Sequence, residues 1–213
     1  MQAKKIDPKD VSGKAPSERP KRGPRERLLS AGKTLFAESG FESTSTSSIA
    51  SLAGTSESQL VRYFGGKAGL LQEIFNMGWI HLNRVIGSKV VSSPTGREAI
   101  LNVLETLTSE FHEDEDLAAI FLFEGRRIRG REHEVFFAEG FVRFRELIHK
   151  LIERGIADGS FKKELPSPAL VSAMIGCAEG MIRDGLVARR LGNYEDFAPG
   201  DIRRVSEALL SGL

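Results

Sequence analysis

The chain has 213 residues, 40% hydrophobic and 28% charged, with a formal net charge of +1. That length allows one sizeable core or a small domain fused to a larger one, and no run approaches the roughly 18 consecutive apolar residues that a membrane span requires. The amino terminus shows no apolar secretory core and the single cysteine, Cys177, excludes an intrachain disulfide, so a cytoplasmic protein is expected.

The near-zero total hides a polarity. Up to Lys67 there are twelve Lys and Arg against seven Asp and Glu, a net of +5, which leaves −4 for the remainder. A basic front and an acidic back point to a polyanionic partner at the amino-terminal end.

Residues 1–20 carry few apolar side chains, three prolines and several lysines, and are expected to form a disordered basic arm. Lys14, Arg19, Lys21, Arg22 and Arg25 stand ready there for phosphates or a minor groove. Pro24 suits the first turn of a helix that carries Leu28, Ala31, Leu35 and Phe36, and Gly40 is placed to end it. Ser45 or Thr46 caps a short second helix bearing Ile49, Ala50 and Leu52, which stops at Gly54. A third helix follows at once, with Ser56 as N-cap and Gln59 three residues on, the spacing of a capping box.

From Lys67 a long fourth helix places Leu70, Leu71, Ile74, Phe75, Trp79, Leu82 and Ile86 on one stripe, closed by Pro94 and Gly96. Further helices are expected at about 97–111, 115–128, 132–157, 167–190 and 200–211. No segment alternates long enough for a strand, so the fold is expected to be all-α. Cys177 lies in the apolar run from Met174 to Ala178, where a buried, inert thiol is expected.

Two short helices joined by a tight turn at Ala53-Gly54-Thr55, with a packing helix before them, have the layout of a helix-turn-helix spanning roughly residues 24–66. Ile49, Ala50, Leu60 and Phe64 would bury against Leu35 and Phe36 and so fix how the third helix is presented. Glu57, Ser58, Gln59 and Arg62 would remain on its polar side, a face fit for a major groove.

Residues 25–75 resemble the DNA-binding domain of the TetR family of bacterial regulators. The likeness runs from the Ala and Phe of the first helix through Gly40-Phe41, Ile49-Ala50 and Ala53-Gly54 to Phe64, Lys67 and Leu70-Leu71. The resemblance implies that Ser45, Thr46 and Ser47 approach backbone phosphates and that Tyr63 and Lys67 hold phosphates from the far end. It implies that Glu57, Ser58, Gln59, Val61 and Arg62 face base edges, with Ser56 at the leading end of the same surface. Val61 departs from the family pattern, which has a tyrosine there, and Thr55 stands where a small apolar residue is usual.

The domain plan is therefore an arm at 1–20, a DNA-binding domain at 21–68 and a larger helical ligand-binding and dimerisation domain at 69–213. One recognition helix covers few base pairs, so two copies about 34–36 Å apart are expected. The last two helices carry apolar faces, with Gly176 and Gly180 one turn apart, and resemble the family's dimer-forming pair.

The middle of the chain is rich in phenylalanine. Phe121, Phe123, Phe137, Phe141 and Phe144, together with Trp79 and Met174, are candidates to line a cavity for a small apolar or amphipathic effector, with Phe111, Phe136 and Met77 nearby. Arg126, heading a basic cluster with Arg127, Arg129 and Arg131, would meet the charged end of such a molecule. By resemblance, the effector would act by displacing the fourth helix.

No HExxH, GxSxG or phosphate loop is found, and His81, His112, His133 and His149 lack metal-ligand spacing. No catalytic residue, metal or cofactor is expected. The reading is a dimeric transcriptional repressor on a palindromic operator; the alternatives are a small-molecule enzyme in a helical cavity and a non-specific architectural DNA-binding protein.

Overall fold

The computed structural model describes residues 23–124, 139–162, 166–192 and 197–211. Within them all regular structure is helical: α1 (Pro24–Ser43), α2 (Thr46–Leu52), α3 (Glu57–Phe64), α4 (Lys67–Val91), α5 (Gly96–Glu113), α6 (Glu115–Ala119), a π-helical turn (Ile120–Glu124), α7 (Glu139–Ala157), α8 (Ser167–Leu191) and α9 (Pro199–Leu210). The basic arm at 1–20, Arg126, Arg127, Arg129, Arg131, His133, Phe136 and Phe137 lie outside the described residues.

The starts and stops of the first helices follow from local chemistry. Pro24 opens α1, and Gly40 breaks it with φ 75° and ψ 162°, a conformation that costs a Cβ-bearing residue far more than glycine. Residues 41–43 then make one further turn. Ser45 caps α2 by accepting the Ser48 N–H at 3.0 Å, and Gly54 takes φ 60° in the turn to α3.

α5 is central and packs against α4, α6, α7, α8 and α9. Its buried face is broad, with Ile100, Leu101, Val103, Leu104, Leu107 and Phe111 all inside, while Glu98, Asn102 and Glu105 occupy a polar side. α1 lies between this body and the two short helices, meeting α2 and α3 on one side and α6, the π turn and α4 on others. Polar bonds fasten it to the body. Lys33 Nζ pairs with Asp114 at 2.7 Å, the Thr34 hydroxyl donates to Asp116 at 3.3 Å, and Arg190 donates to the Ala37 carbonyl at 3.0 Å.

α8 and α9 each show two characters. Met174, Ile175, Ala178, Ile182 and Leu186 turn inward on α8, whereas Ala173, Gly176 and Cys177 are exposed. Cys177 thus departs from the expected buried thiol, because the inward stripe passes through Met174, Ala178 and Ile182 and leaves position 177 on the opposite side. On α9, Ile202 and Leu210 are buried while Val205 and Leu209 face outward. Arg203 fastens α9 to α5, donating to Glu98, to Glu105 at 3.0 Å and to Asn102 at 3.0 Å. Its pKa is pushed further up, first by the Glu98 hydrogen bond.

The turn after α7 ties that helix to the start of α5. Asp158 accepts the Gly96 N–H at 2.7 Å and the Ser160 N–H at 3.0 Å. Its carboxyl is held below the ordinary carboxylate range, chiefly by the Ser160 side chain and next by the Gly96 N–H. A depressed folded-state pKa contributes stability above the unfolded value, and that contribution is lost as pH falls through the folded one. The advantage of the wild type over Asp158→Asn in urea denaturation should therefore be constant from pH 7 to 5 and shrink below about pH 4. A gap that stays the same down to pH 3 would contradict this.

Candidate DNA-binding helix-turn-helix and ligand cavity

The DNA-binding surface is built on a small core. Phe36, Ile49 and Leu60 are each at most 1% exposed, and Ala50 and Ala53 close the space between α1, α2 and α3. With Leu60 turned fully inward, Val61 and Arg62 must face out, because consecutive residues on a helix are rotated by about 100°. Glu57, Ser58, Val61 and Arg62 are all exposed, and Val61 is 55% exposed.

Two residues that local pattern does not reveal hold this arrangement. Arg27, on α1, donates from Nε to the Ala53 carbonyl at 2.8 Å and from Nη2 to the Gly54 carbonyl at 3.3 Å, so its guanidinium bridges the turn between the helices. Arg25 pairs with Glu73 on α4 and lies over the Phe64 ring at 5.4 Å. Both arginines lie in the opening turn of α1; Arg25, expected at phosphates or a minor groove, is here paired with Glu73.

The sequence-predicted contact residues occupy distinct situations. Ser47 and Ser58 are exposed; Ser45 and Ser56 act as N-caps, and the Ser56 hydroxyl lies 2.8 Å from that of Ser58. Thr46 donates its hydroxyl to Glu57, which joins the leading ends of α2 and α3. Arg62 stacks over the Tyr63 ring at 4.8 Å and donates to its hydroxyl at 3.0 Å, so the two side chains form one polar unit on the outer face.

Gln59 and Lys67 differ from expectation. Ser56 accepts the Gln59 N–H at 3.4 Å, the first half of the expected capping box, but the Gln59 side chain does not return the bond. Its Oε1 is buried and makes no hydrogen bond, so that end of the carboxamide does not face the groove side. Lys67 donates to the carbonyls of Phe41 and Thr44 at 2.7 Å each and of Glu42 at 3.4 Å, and sits over the Phe41 ring at 4.4 Å. Its three donors cap the end of α1 rather than pointing outward.

An apolar cavity of about 110 Å³ lies among α4, α5, the π turn, α7 and α8. That is well above the 10–15 Å³ that one water needs, and cavities lined by Leu, Ile and Phe tend to stay dry and accept apolar guests. Trp79, Phe121, Phe141, Phe144 and Met174 all line it. Trp79 is the centre of an aromatic cluster, with ring centroids 4.9 Å from Phe121, 5.7 Å from Phe141 and 5.6 Å from Phe144.

Phe123 does not join them. It is 42% exposed, because residues two apart on a helix face nearly opposite sides and Phe121 holds the inward one. Met77 is likewise exposed. Sequence reading by aromatic content missed the aliphatic wall of Ile100, Leu104, Leu107 and Ile148, and it missed Glu179, an ionisable side chain on the lining. The signal was the broad apolar stripe of α5 through Ile100, Leu104, Leu107 and Phe111.

Residues 28–74 match the family model of bacterial regulatory proteins of the tetR family. The HTH-type transcriptional repressor KstR2 of Rhodococcus jostii is 31% identical over 159 residues, 73% of each chain. The chain belongs to the TetR family. TetR-type repressors being DNA-binding transcriptional regulators, this protein is one as well.

The fold extends the likeness beyond the head. The fatty acid degradation regulator FadR from Bacillus halodurans superposes with a TM-score of 0.74 at 20% identity, covering 88% of this chain and 98% of that one. The transcriptional regulator FadR from Bacillus subtilis, in complex with stearoyl-CoA, superposes with a TM-score of 0.71 at 18% identity, covering 87% and 95%. This TetR-family chain therefore shares the two-part helical plan expected from its first seventy residues.

Charged hydrogen bonds contribute about 1.5–3 kcal/mol each, so Arg27→Met should weaken duplex binding through disorder of the turn. Hydrogen exchange is expected to quicken at residues 53–60 in that variant while the cavity helices stay protected. Unchanged exchange in the turn would refute the bridging role of Arg27.

Proposed function

We propose that this protein is a homodimeric repressor that binds a palindromic operator through paired α3 helices and is released when a small apolar or amphipathic molecule enters the cavity. The domain plan follows: an arm at 1–20, a DNA-binding domain at 21–68, and a ligand-binding and dimerisation domain at 69–213. Its site of action is the cytoplasm, in keeping with the lack, among the described residues, of any helix long and apolar enough to cross a membrane.

The observation that carries this reading is an apolar cavity walled by α4, α5, the π turn, α7 and α8 in a chain whose helix-turn-helix keeps a polar outer face. A repressor of constant activity has no use for such a void, since unfilled core volume costs stability. Similarity to a repressor, KstR2, supports negative control, and the stearoyl-CoA complex of a similarly folded regulator supports an effector with a long apolar part. The lining adds its own support, being aromatic and aliphatic with Glu179 as a polar point.

On the DNA side, the polar unit Arg62–Tyr63, the exposed Ser47 and Ser58, and the Val61 side chain form the contact surface. Arg62 is suited to a guanine and Val61 to a thymine methyl group. Glu57 and Thr46 set the spacing between the leading ends of α2 and α3. The exposed faces of α8 and α9, with Ala173, Gly176, Val205 and Leu209, meet their copies across a twofold axis. An effector needs to favour the non-binding arrangement by only about 1–3 kcal/mol to change occupancy.

Fluorescence anisotropy with a palindromic duplex, selected by the protein from a random pool, tests the reading. Arg62→Ala should lose about 1–3 kcal/mol on that duplex and much less on random duplex. Long-chain acyl-CoA or the free fatty acid should weaken the palindromic complex. Equal affinity for every duplex would instead favour an architectural protein, and turnover of a small molecule without duplex binding would favour an enzyme.

A further inference from the structure

Glu124 occupies a position that neither the core nor the DNA surface requires. It closes the π-helical turn Ile120–Glu124 and is 7% exposed, unusual burial for a glutamate. Its Oε1 accepts the Phe41 N–H at 3.3 Å, and it lies 3.2 Å from where a Cβ on Gly40 would stand. The carboxyl is therefore seated against the break in α1.

At the other end of the same turn is Phe121. Its ring packs against Phe75, Trp79 and Phe111, with centroids at 5.2, 4.9 and 5.6 Å, in the wall of the cavity. One turn of π helix thus has its first half in the ligand site and its last residue on the head. Such turns are a minority backbone form, common where a functional shift occurs. A guest that displaces Phe121 acts on a segment with a nearby alternative in ordinary α register.

The connection continues beyond Phe41. The carbonyl of that same residue, and that of Thr44, accept from Lys67 Nζ, and Lys67 opens α4 directly after the recognition helix. Displacement of Phe41 therefore acts on Lys67, three residues after the end of α3. Other polar bonds between α1 and the body, among them Lys33–Asp114, Thr34–Asp116, Arg190–Ala37 and Arg25–Glu73, come from residues that do not line the cavity. They hold the head in place without reporting on the cavity.

We infer that Glu124 is a positioning residue for DNA release: it conveys cavity occupancy to α1 through the Phe41 N–H, and from there to the recognition helix. This rests on the ligand-released reading above. It differs from a route through α4 alone, in which Phe75 and Trp79 would push Lys67 directly and Glu124 would be dispensable.

The test uses the full chain and occupies the cavity by substitution. Ala178→Phe places a ring in the lining, with Ala178→Leu in reserve should the larger side chain prevent folding. Amide exchange is followed by mass spectrometry over residues 40–64. Filling the cavity should change exchange there by about fivefold or more in the wild-type background. Glu124→Ala should abolish that response while leaving affinity of the otherwise unmodified protein for its selected duplex intact, an outcome that a purely structural role does not produce. Glu124→Gln, which keeps a carbonyl acceptor for Phe41, should preserve the response. A full response in Glu124→Ala would overturn the role of Glu124 and leave ligand release standing. No response in the wild-type background would overturn ligand release itself, and this inference with it.

Discussion

The structure depends on how the end of α1 is held. At Gly40 the helix breaks, and Lys67 turns back to donate to the carbonyls of Phe41, Glu42 and Thr44 beyond it. Buried Thr44 reinforces the break by donating to the Gly40 carbonyl at 2.7 Å. Backbone carbonyls at a helix end must find partners, and here the partner is the first residue of α4. The result is that the recognition helix, lying between Gly54 and Lys67 in the chain, is pinned at both ends: Arg27 holds the turn before it and Lys67 fixes the residue that follows it.

That pinning explains why the polar face of α3 looks outward. Leu60 is fully buried against Phe36 and Ile49, and no rotation of α3 that exposes it is compatible with the turn held by Arg27. The body behind contributes differently. It holds an apolar cavity walled by α4, α5, the π turn, α7 and α8, and the proposed link between filling it and the orientation of α3 runs through packing.

Much of this is legible in the residues alone where the determinants are local. Ser45, Ser56, Gly40 and Gly54 mark helix ends because caps and left-handed glycines act within a few residues, and Gly40 and Gly54 are among the residues that carry the family resemblance of 25–75. What tertiary contact decides is not legible. Lys67 reads as a phosphate-binding lysine until its distance to three carbonyls is known, and Gln59 reads as a capping partner until its Oε1 is found buried without a partner. Arg27 and Glu124 carry no local signal at all, since their partners lie 26 and 83 residues away. Cys177 and Phe123 show a smaller failure of the same kind: an apolar run gives the composition of a helix but not which way each residue faces.

The central claim, that two outward-facing α3 helices enter successive major grooves of one duplex, is tested most directly by hydroxyl-radical footprinting of the protein on its selected palindromic site. Two protected patches on one face of the duplex, centred about 34–36 Å apart, are the result this account requires. A single protected patch, or protection spread evenly along the DNA, would contradict it.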